Sequence, residues 1–404
     1  MYLGYGLFSH GRDDYSGIDV NGKGVVVLAG TPSDWPMTRE ARRAAWGKTE
    51  VALRRGAAIV IQVSNGGDPP TPPGPDSNPA RGTGPFAPDD GTVTSMRPAA
   101  TVGYEASQAL LDGWQITRPG EATGSVGTIR LVRHHEVTTV RSWNVLGVIR
   151  GSDPDVREEA IVFTSHLDHV GICAPDATGD DICNGTHDNA LGTAQMLSVA
   201  EAMIRLQPRR SLVFASVGAE EGGLIGSWHY VRNPVLPIEG TVANINMDGG
   251  RKGKETDDVI PNAADLSEMA EIVEAVMSEL GVGLTHGESA AELVGFSSDH
   301  RSFLMAGVPA VDLKPGYSVD GDLEVGYRER MHYMDNRRHR PADTFDESLS
   351  FESPAEMARR ALHLAWRLAN MDGMPRMNPD SPMARPRQSP EHPYYFGPDF
   401  RIEP

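Results

Sequence analysis

The stretch from Thr164 to Tyr230, with the apolar run that leads into it, constrains the fold more than any other part of the chain. It reads as strand, loop, helix, strand, loop, helix. Ala160-Ile-Val-Phe-Thr-Ser165 is short, apolar and β-branched, the composition of a strand buried on both faces. It ends in His166-Leu-Asp168-His169. A glycine- and aspartate-rich loop follows, then Asn184-Gly-Thr-His-Asp188-Asn-Ala-Leu-Gly192. The spacing of Leu191, Ala194, Leu197, Ala200 and Ile204 predicts a helix with these residues on its apolar face, stopped by Pro208. A second apolar run, Ser211 to Val217, leads into Gly218-Ala-Glu220-Glu221-Gly-Gly-Leu-Ile-Gly226-Ser. Strands alternating with helices predict an α/β fold with a largely parallel sheet. In such sheets sites form beyond the carboxyl ends of the strands. His166, Asp168, Asp188, Glu220 and Glu221 all stand at such ends or just past them.

The remainder extends this pattern on both sides. Thr241 to Asn246 reads as a buried strand ending at Met247-Asp248-Gly-Gly250, another carboxylate at a strand end. Ala263 to Leu280 has helical periodicity, Gly295 to His300 precedes a short helix, and Pro309 to Leu313 is strand-like. His339-Arg-Pro-Ala-Asp343-Thr344 reads as a loop. Ser353-Pro354 predicts an N-cap and first turn for a last helix running to about Asn370. Residues 371–404 form a proline-rich tail expected to wrap the surface. On the other side, residues 1–122 look like one smaller, β-rich unit. Its strands are expected at Val25 to Leu28 and Ala57 to Val63, with a helix over Lys48 to Gly56 between them. Asp68 to Asp90 is rich in proline and glycine and reads as a surface loop. Thr117 to Ser125 reads as a linker, and further strands are expected over Thr128 to Val132 and Asn144 to Ile149. The expected domains are therefore 1–122, 123–370 and the tail.

Charge and composition remove several function classes. The net charge is −18 and the sequence shows no basic stripe to pair with phosphates, which argues against a nucleic-acid role. It has no apolar run long enough for a membrane helix, and no secretory leader. The two cysteines, Cys173 and Cys183, share one loop with Asp176, Asp180 and Asp181. They are too few for a disulfide scaffold or a zinc knuckle. A bridge between them fits an exported protein, and two free thiols are the alternative.

His, Asp and Glu without cysteine are a nitrogen–oxygen donor set. It suits zinc, or manganese or cobalt, in a catalytic site with an open position. One aspartate can bridge two metals that together clamp the attacking water and the substrate oxygen. In a tight loop, adjacent glutamates point in different directions, so one can bind metal while the other serves as general base. Asp168, two residues after His166, can hold the second ring nitrogen of that histidine. Each residue has a plainer reading: a hydrogen-bonded structural histidine, a helix cap at Asp188, a solvated Glu220-Glu221 pair. Five such residues at the ends of consecutive elements are what those plainer readings do not predict. Rival chemistries lack their motifs. Neither a Gly-x-Ser-x-Gly elbow nor a phosphate-binding Gly-x-x-x-x-Gly-Lys-Ser/Thr loop occurs.

Six motifs carry a family resemblance. His166-Leu-Asp-His, Asn184-Gly-Thr-His-Asp-Asn-Ala-Leu-Gly, Glu220-Glu-Gly-Gly-Leu-Ile-Gly-Ser, Asn246-Met-Asp, Ser298-Asp-His and His339-Arg-Pro-Ala-Asp-Thr resemble, in order, those of the M28 zinc metallopeptidases. The resemblance spans about Thr128 to Asn370. It implies a three-layer fold, a mixed and largely parallel central sheet between helices. It implies two zinc ions bridged by Asp188, with His166 and Asp248 completing one site and Glu221 and His339 the other. It implies Glu220 as general base, and a cis peptide after the bridging aspartate, at Asp188–Asn189. Peptides or proteins are the implied substrates, and an aminopeptidase is the expected activity. A carboxypeptidase or a glutaminyl cyclase on the same fold is the alternative, followed by an inactive or binding relative. The first unit resembles a protease-associated domain, which members carry as an insert behind catalytic sequence and an export signal. The expectation is thus an exported full-length form, of which this chain lacks an N-terminal portion with edge elements of the catalytic domain. Relatives also support the oxyanion with a tyrosine that in one branch precedes the ligand histidine. Here Arg338 holds that position, and Tyr317, Tyr327 and Tyr333 are the nearby candidates.

Overall fold

The structure is a computed structural model that describes residues 1–36, 48–64, 99–118, 120–128, 141–285, 298–381 and 383–390. These form two compact units, one of the described residues up to Thr128 and one of those from Arg141 onward.

The first unit contains β1 (Tyr2–Leu3), β2 (Phe8–Ser9), β3 (Arg12–Asp13), β4 (Gly24–Leu28), α1 (Lys48–Arg54), β5 (Ile59–Val63), β6 (Ala99–Val102), α2 (Tyr104–Gly113) and β7 (Ala122–Gly124). Its sheet runs β6-β5-β4-β1-β7. The alternation of a pleated strand is plain in β4. Val25 and Val27 pack to one side, Val26 and Leu28 to the other. The stretch expected as a linker, Thr117 to Ser125, instead supplies β7, in which Gly124 pairs with Tyr2 and Ala122 with Leu3. The first unit therefore extends past the expected boundary at 122. Its turn-rich composition serves a return strand instead of a connection. The loop expected over Asp68 to Asp90 lies outside the described residues, as do residues 129–132 of the strand expected over Thr128 to Val132.

The second unit holds β8 (Val145–Ile149), β9 (Ala160–His166), β10 (Gly171–Ile172), β11 (Ile182–Cys183), α3 (Leu191–Leu206), β12 (Ser211–Val217), α4 (Ile225–Arg232), β13 (Thr241–Asn246), β14 (Asp258–Asn262), α5 (Met269–Glu279), β15 (Gly283–Leu284), α6 (His300–Met305), β16 (Ala310–Pro315), α7 (Leu323–Asn336) and α8 (Glu352–Asn370). Among the described residues, seven strands form its sheet, in the order β15-β14-β16-β13-β9-β12-β8. The centre, β16-β13-β9-β12, is parallel. β8 joins β12 antiparallel, and β14 joins β16 antiparallel. This is the mixed α/β sheet expected. β9 is buried along its whole length, as its β-branched run demands.

Helices cover the sheet with apolar stripes. In α8, Met357, Ala361, Leu364 and Leu368 are buried at helical spacing, and each large side chain contributes roughly 1.5–3 kcal/mol by leaving water. α8 begins two residues earlier than expected. Phe351 is its N-cap, and Ser353 is buried with its amide on the Gly253 carbonyl at 3.3 Å. The periodic stretch over Ala263 to Leu280 divides into a 3₁₀ turn, Ala264–Leu266, and α5. The face of α3 is a correction. Met196, Val199 and Met203 are buried, whereas Leu197 is 60% and Ile204 65% exposed. α3 carries apolar residues on more than one face, and its rotation is set at its first turn. There Gly192 lies where a Cβ would fall 2.2 Å from the Met247 carbonyl.

Beneath the carboxyl ends of the central strands lies a polar layer. Asn246 accepts from Thr164 Oγ1 at 2.6 Å and donates to Ser298 Oγ at 2.8 Å and Asp312 Oδ1 at 3.1 Å. All four are fully buried, so each polar atom engaged here avoids a desolvation penalty of about 1–3 kcal/mol. Cys173 and Cys183 form a disulfide across the β10–β11 hairpin. The described residues beyond α8, 371–381 and 383–390, return along this unit. The Met371 and Gly373 carbonyls accept from Arg210, and Arg376 pairs with Glu268. Among the described residues no helix is long and apolar enough to cross a membrane.

Candidate metal centre

The sheet brings the implied ligands to one place. His166 ends β9, Glu220 and Glu221 follow β12, and Asp248 follows β13. Asp188 sits in the turn that opens α3, and His339 in the loop after α7. Two donor groups result among the described residues. His166, Asp188 and Asp248 form one; His169, Asp188, Glu221 and His339 form the other, with ligand atoms within 4.8 Å of one another in each. Asp188 belongs to both, through different oxygens. Its Oδ1 lies 3.1 Å from His166 Nε2 and its Oδ2 3.1 Å from His339 Nε2. His166 Nε2 also lies 3.3 Å from Asp248 Oδ1, and His339 Nε2 3.0 Å from Glu221 Oε1.

The donors fit a pair of zinc-like ions. They are imidazole nitrogens and carboxylate oxygens; His166, Asp188, Glu221 and His339 are buried, and Asp248 and His169 are half-buried. Three converging carboxylates largely out of water are costly without positive charge among them. The histidines show the resulting field. Burial pushes His166 toward neutrality, but Asp188 and Asp248 outweigh it and hold its pKa well above the ordinary value. His339 is raised to about 9, with burial overcome by Asp188 and Glu221.

The adjacent glutamates diverge. Burial raises the Glu220 pKa well above the usual carboxylate range; His166 opposes, while Asp248, Asp299 and Glu221 add to the rise. Burial acts on Glu221 too, but the ring nitrogens of His169 and His339, each 3.0 Å from its Oε1, overcome it and hold that carboxyl at about 2. Glu221 is in a donor group and Glu220 is in neither. Neighbouring acids driven apart in this way are suited to an anionic ligand and a proton carrier.

Asp168 requires a correction. Its backbone carbonyl, not its carboxylate, accepts from His166 Nδ1, at 3.0 Å. The nearer carboxylate oxygen stands 3.9 Å from that nitrogen. The carboxylate instead accepts the Glu220 amide at 3.0 Å and the Glu221 amide at 3.2 Å. The strand end thus orients the histidine with its main chain, which leaves the side chain free to tie down the next loop.

Several supporting residues were not singled out from sequence. Asn189 follows a cis peptide at Asp188–Asn189. Its amide donates to Ser165 Oγ and the Met247 carbonyl, and its oxygen accepts from the amides of Gly192 and Gly249. Asp343 accepts from the His187 and Asp188 amides, from His187 Nδ1 at 3.0 Å and from Tyr333 Oη at 3.2 Å. It therefore joins the Asp188 turn to the His339 loop. Lys314 Nζ lies 3.5 Å from Asp248 Oδ2 and 3.4 Å from Asp312 Oδ2, a buried cation between two carboxylates. His169 also went unassigned, although it stands in the His166-Leu-Asp-His motif. Asn189 and Asp343 also lie inside recognised motifs, but only the fold shows what they hold. Of the tyrosine candidates, Tyr333 is committed to Asp343, and Tyr317 packs edge-on to Tyr327 at 5.7 Å. Arg338 Nε stands 3.7 Å from Asp188 Oδ2.

Known proteins resemble this chain in sequence and in fold. A probable zinc metalloprotease of Leptosphaeria maculans is 26% identical over 59% of this chain and 59% of its own length. A glutamate carboxypeptidase 2 homolog of Caenorhabditis briggsae is 30% identical over 56% of this chain and 33% of its own. The chain therefore spans less than two thirds of these relatives. The solved aminopeptidase from Aneurinibacillus sp. strain AM-1 aligns with 94% of this chain and 76% of its own, at 22% identity and a TM-score of 0.53, a likeness of fold. The profile of peptidase family M28 matches residues 144–365, more than half of the chain and all of the donor residues above. The chain belongs to peptidase family M28.

Proposed function

We propose that this chain is a two-zinc exopeptidase that removes N-terminal residues from peptides. The observation that carries this reading is Asp188, whose two oxygens face different histidines and which stands in both donor groups. His166, Asp188 and Asp248 would hold one ion, and Asp188, Glu221 and His339 the other, with manganese or cobalt as possible substitutes. Bound zinc would polarise the scissile carbonyl and acidify water. Glu220 lies outside both donor groups and carries a raised pKa, so it accepts the proton of the attacking water and returns it to the leaving amine. Asp168 holds the Glu220 amide and so fixes where that carboxyl acts. His166 is oriented through the Asp168 carbonyl and Asp248 is anchored by Lys314.

The name of the Caenorhabditis relative keeps a carboxypeptidase in view. A panel of aminoacyl amides and N-blocked peptides, assayed with zinc and with chelator, separates the two. Cleavage of free-amine substrates, abolished by chelator and restored by zinc, is expected. Turnover confined to N-blocked peptides with a free C-terminus would overturn the aminopeptidase reading.

A further inference from the structure

We propose that His169 is a direct ligand of the second metal. That site then draws four protein donors, His169, Asp188, Glu221 and His339, while the first draws three, His166, Asp188 and Asp248. The inference rests on the two-metal reading and makes its two halves unequal.

Three observations place His169 there. Its ring is nearly sealed from solvent, with 8% of the side chain exposed, and Nδ1 lies 3.0 Å from Glu221 Oε1. Yet neither ring nitrogen makes a hydrogen bond of good geometry. Two donor atoms that approach closely without aligning N–H to lone pair are aimed at a common point, which is how ligands surround a cation. The ring also stands edge-on to His339, centroids 5.4 Å apart at 72°, so two imidazoles converge on the same carboxylate. Finally, the chain clears room for the ring. Gly185 has φ +70°, and a Cβ there would fall 2.6 Å from His169 Cγ and 2.4 Å from the Asp188 carbonyl. Only glycine meets both demands.

The chemical consequence follows from donor count. Four protein ligands close a tetrahedral zinc site, whereas three leave a position open. The second site is therefore the more tightly held, and the open position belongs to the site on His166.

Cobalt-loaded protein tests this, because the exchangeable imidazole N–H of each coordinated histidine gives its own paramagnetically shifted proton resonance. Three are expected from the wild type, for His166, His169 and His339, and two from His169→Gln. A competition titration of that variant with a chelating dye should show one cobalt weakened by more than about 100-fold, beyond the 10–100-fold typical of an outer hydrogen-bond partner, with the other unchanged. Two resonances in the wild type, or a variant with wild-type resonances and affinities, overturn the assignment. Stoichiometry reports separately on the underlying reading. One cobalt per chain with His169 still among its imidazoles overturns the metal pair but keeps His169 as a ligand.

Discussion

Asp168 Oδ1 accepts the Glu220 backbone amide at 3.0 Å, and this contact ties the end of β9 to the loop after β12. Asp168→Ala should leave His166 oriented, since the ring is held by a carbonyl, and should loosen the glutamate pair. Turnover is expected to fall roughly 10–100-fold, the usual effect of losing a group that positions ligands. Metal analysis should show the ion on Glu221 weakened before the ion on His166. Loss of the His166 ion first would mean that the carboxylate does hold that ring.

Glu220→Gln and Glu221→Gln should fail differently. The first keeps both metals and loses turnover by a factor on the order of 10²–10⁴, the scale of general acid–base help. The second removes a charged donor and weakens one metal while the other is retained. Metal content and kcat on both variants decide. A Glu220→Gln protein that sheds metal, or turns over normally when loaded, refutes the division of labour.

Gly192→Ala tests the clasp at the start of α3. A Cβ would lie 2.1 Å from Asn189 Oδ1 and 2.2 Å from the Met247 carbonyl, so Asn189 must move. A destabilisation of about 1–3 kcal/mol is expected, the range of overpacking, together with weaker metal binding. Denaturant unfolding of the metal-free variant measures the first and chelator competition the second.

Metal binding at neutral pH should release protons. In the metal-free protein His339 stands at about 9 against an ordinary 6.5, so its stabilisation is complete below pH 6.5 and is lost as pH rises through 9. Glu221, held at about 2, contributes above its ordinary 4.5 and loses that contribution as pH falls through 2. Zinc must displace the proton of His339 and, with His166 raised as well, roughly one to two protons should leave per chain at pH 7. Calorimetric titrations in buffers of different ionisation enthalpy count them, and no net release would contradict the raised values.

The cysteine pair yields a thiol count. Unfolded, non-reduced protein from an oxidising compartment should show no free thiol, because Cys173 and Cys183 are paired. With the two cysteines ten positions apart in sequence, reduction should cost no more than about 3 kcal/mol on the chain-entropy view. Two titratable thiols would rule the bridge out.

The sequence was most informative where chemistry and periodicity coincide. The strand ends at His166, Glu220 and Asp248 were legible because buried β-branched runs stop abruptly at polar residues. What it hid depends on partners distant in the chain. The rotation of α3 follows from Gly192 meeting Met247, and Leu197 and Ile204 made the wrong face look equally apolar. The Asp168 carboxylate reaches amides 52 and 53 residues away, a pairing that no local spacing encodes. β7 resembles a linker in sequence because turn residues look alike whether the chain departs or returns to pair with β1.

The distribution of the donors along the chain bears on when the site comes into being. Asp343 accepts from the Asp188 amide across 155 residues, and His339 reaches Asp188 across 151. Contacts of such separation close late, because the loops between them lose entropy before any contact rewards it. The centre is therefore a product of nearly completed folding. A metal that binds only there should slow unfolding far more than it speeds folding, so chelation shortens the life of the native chain without changing how fast it first forms.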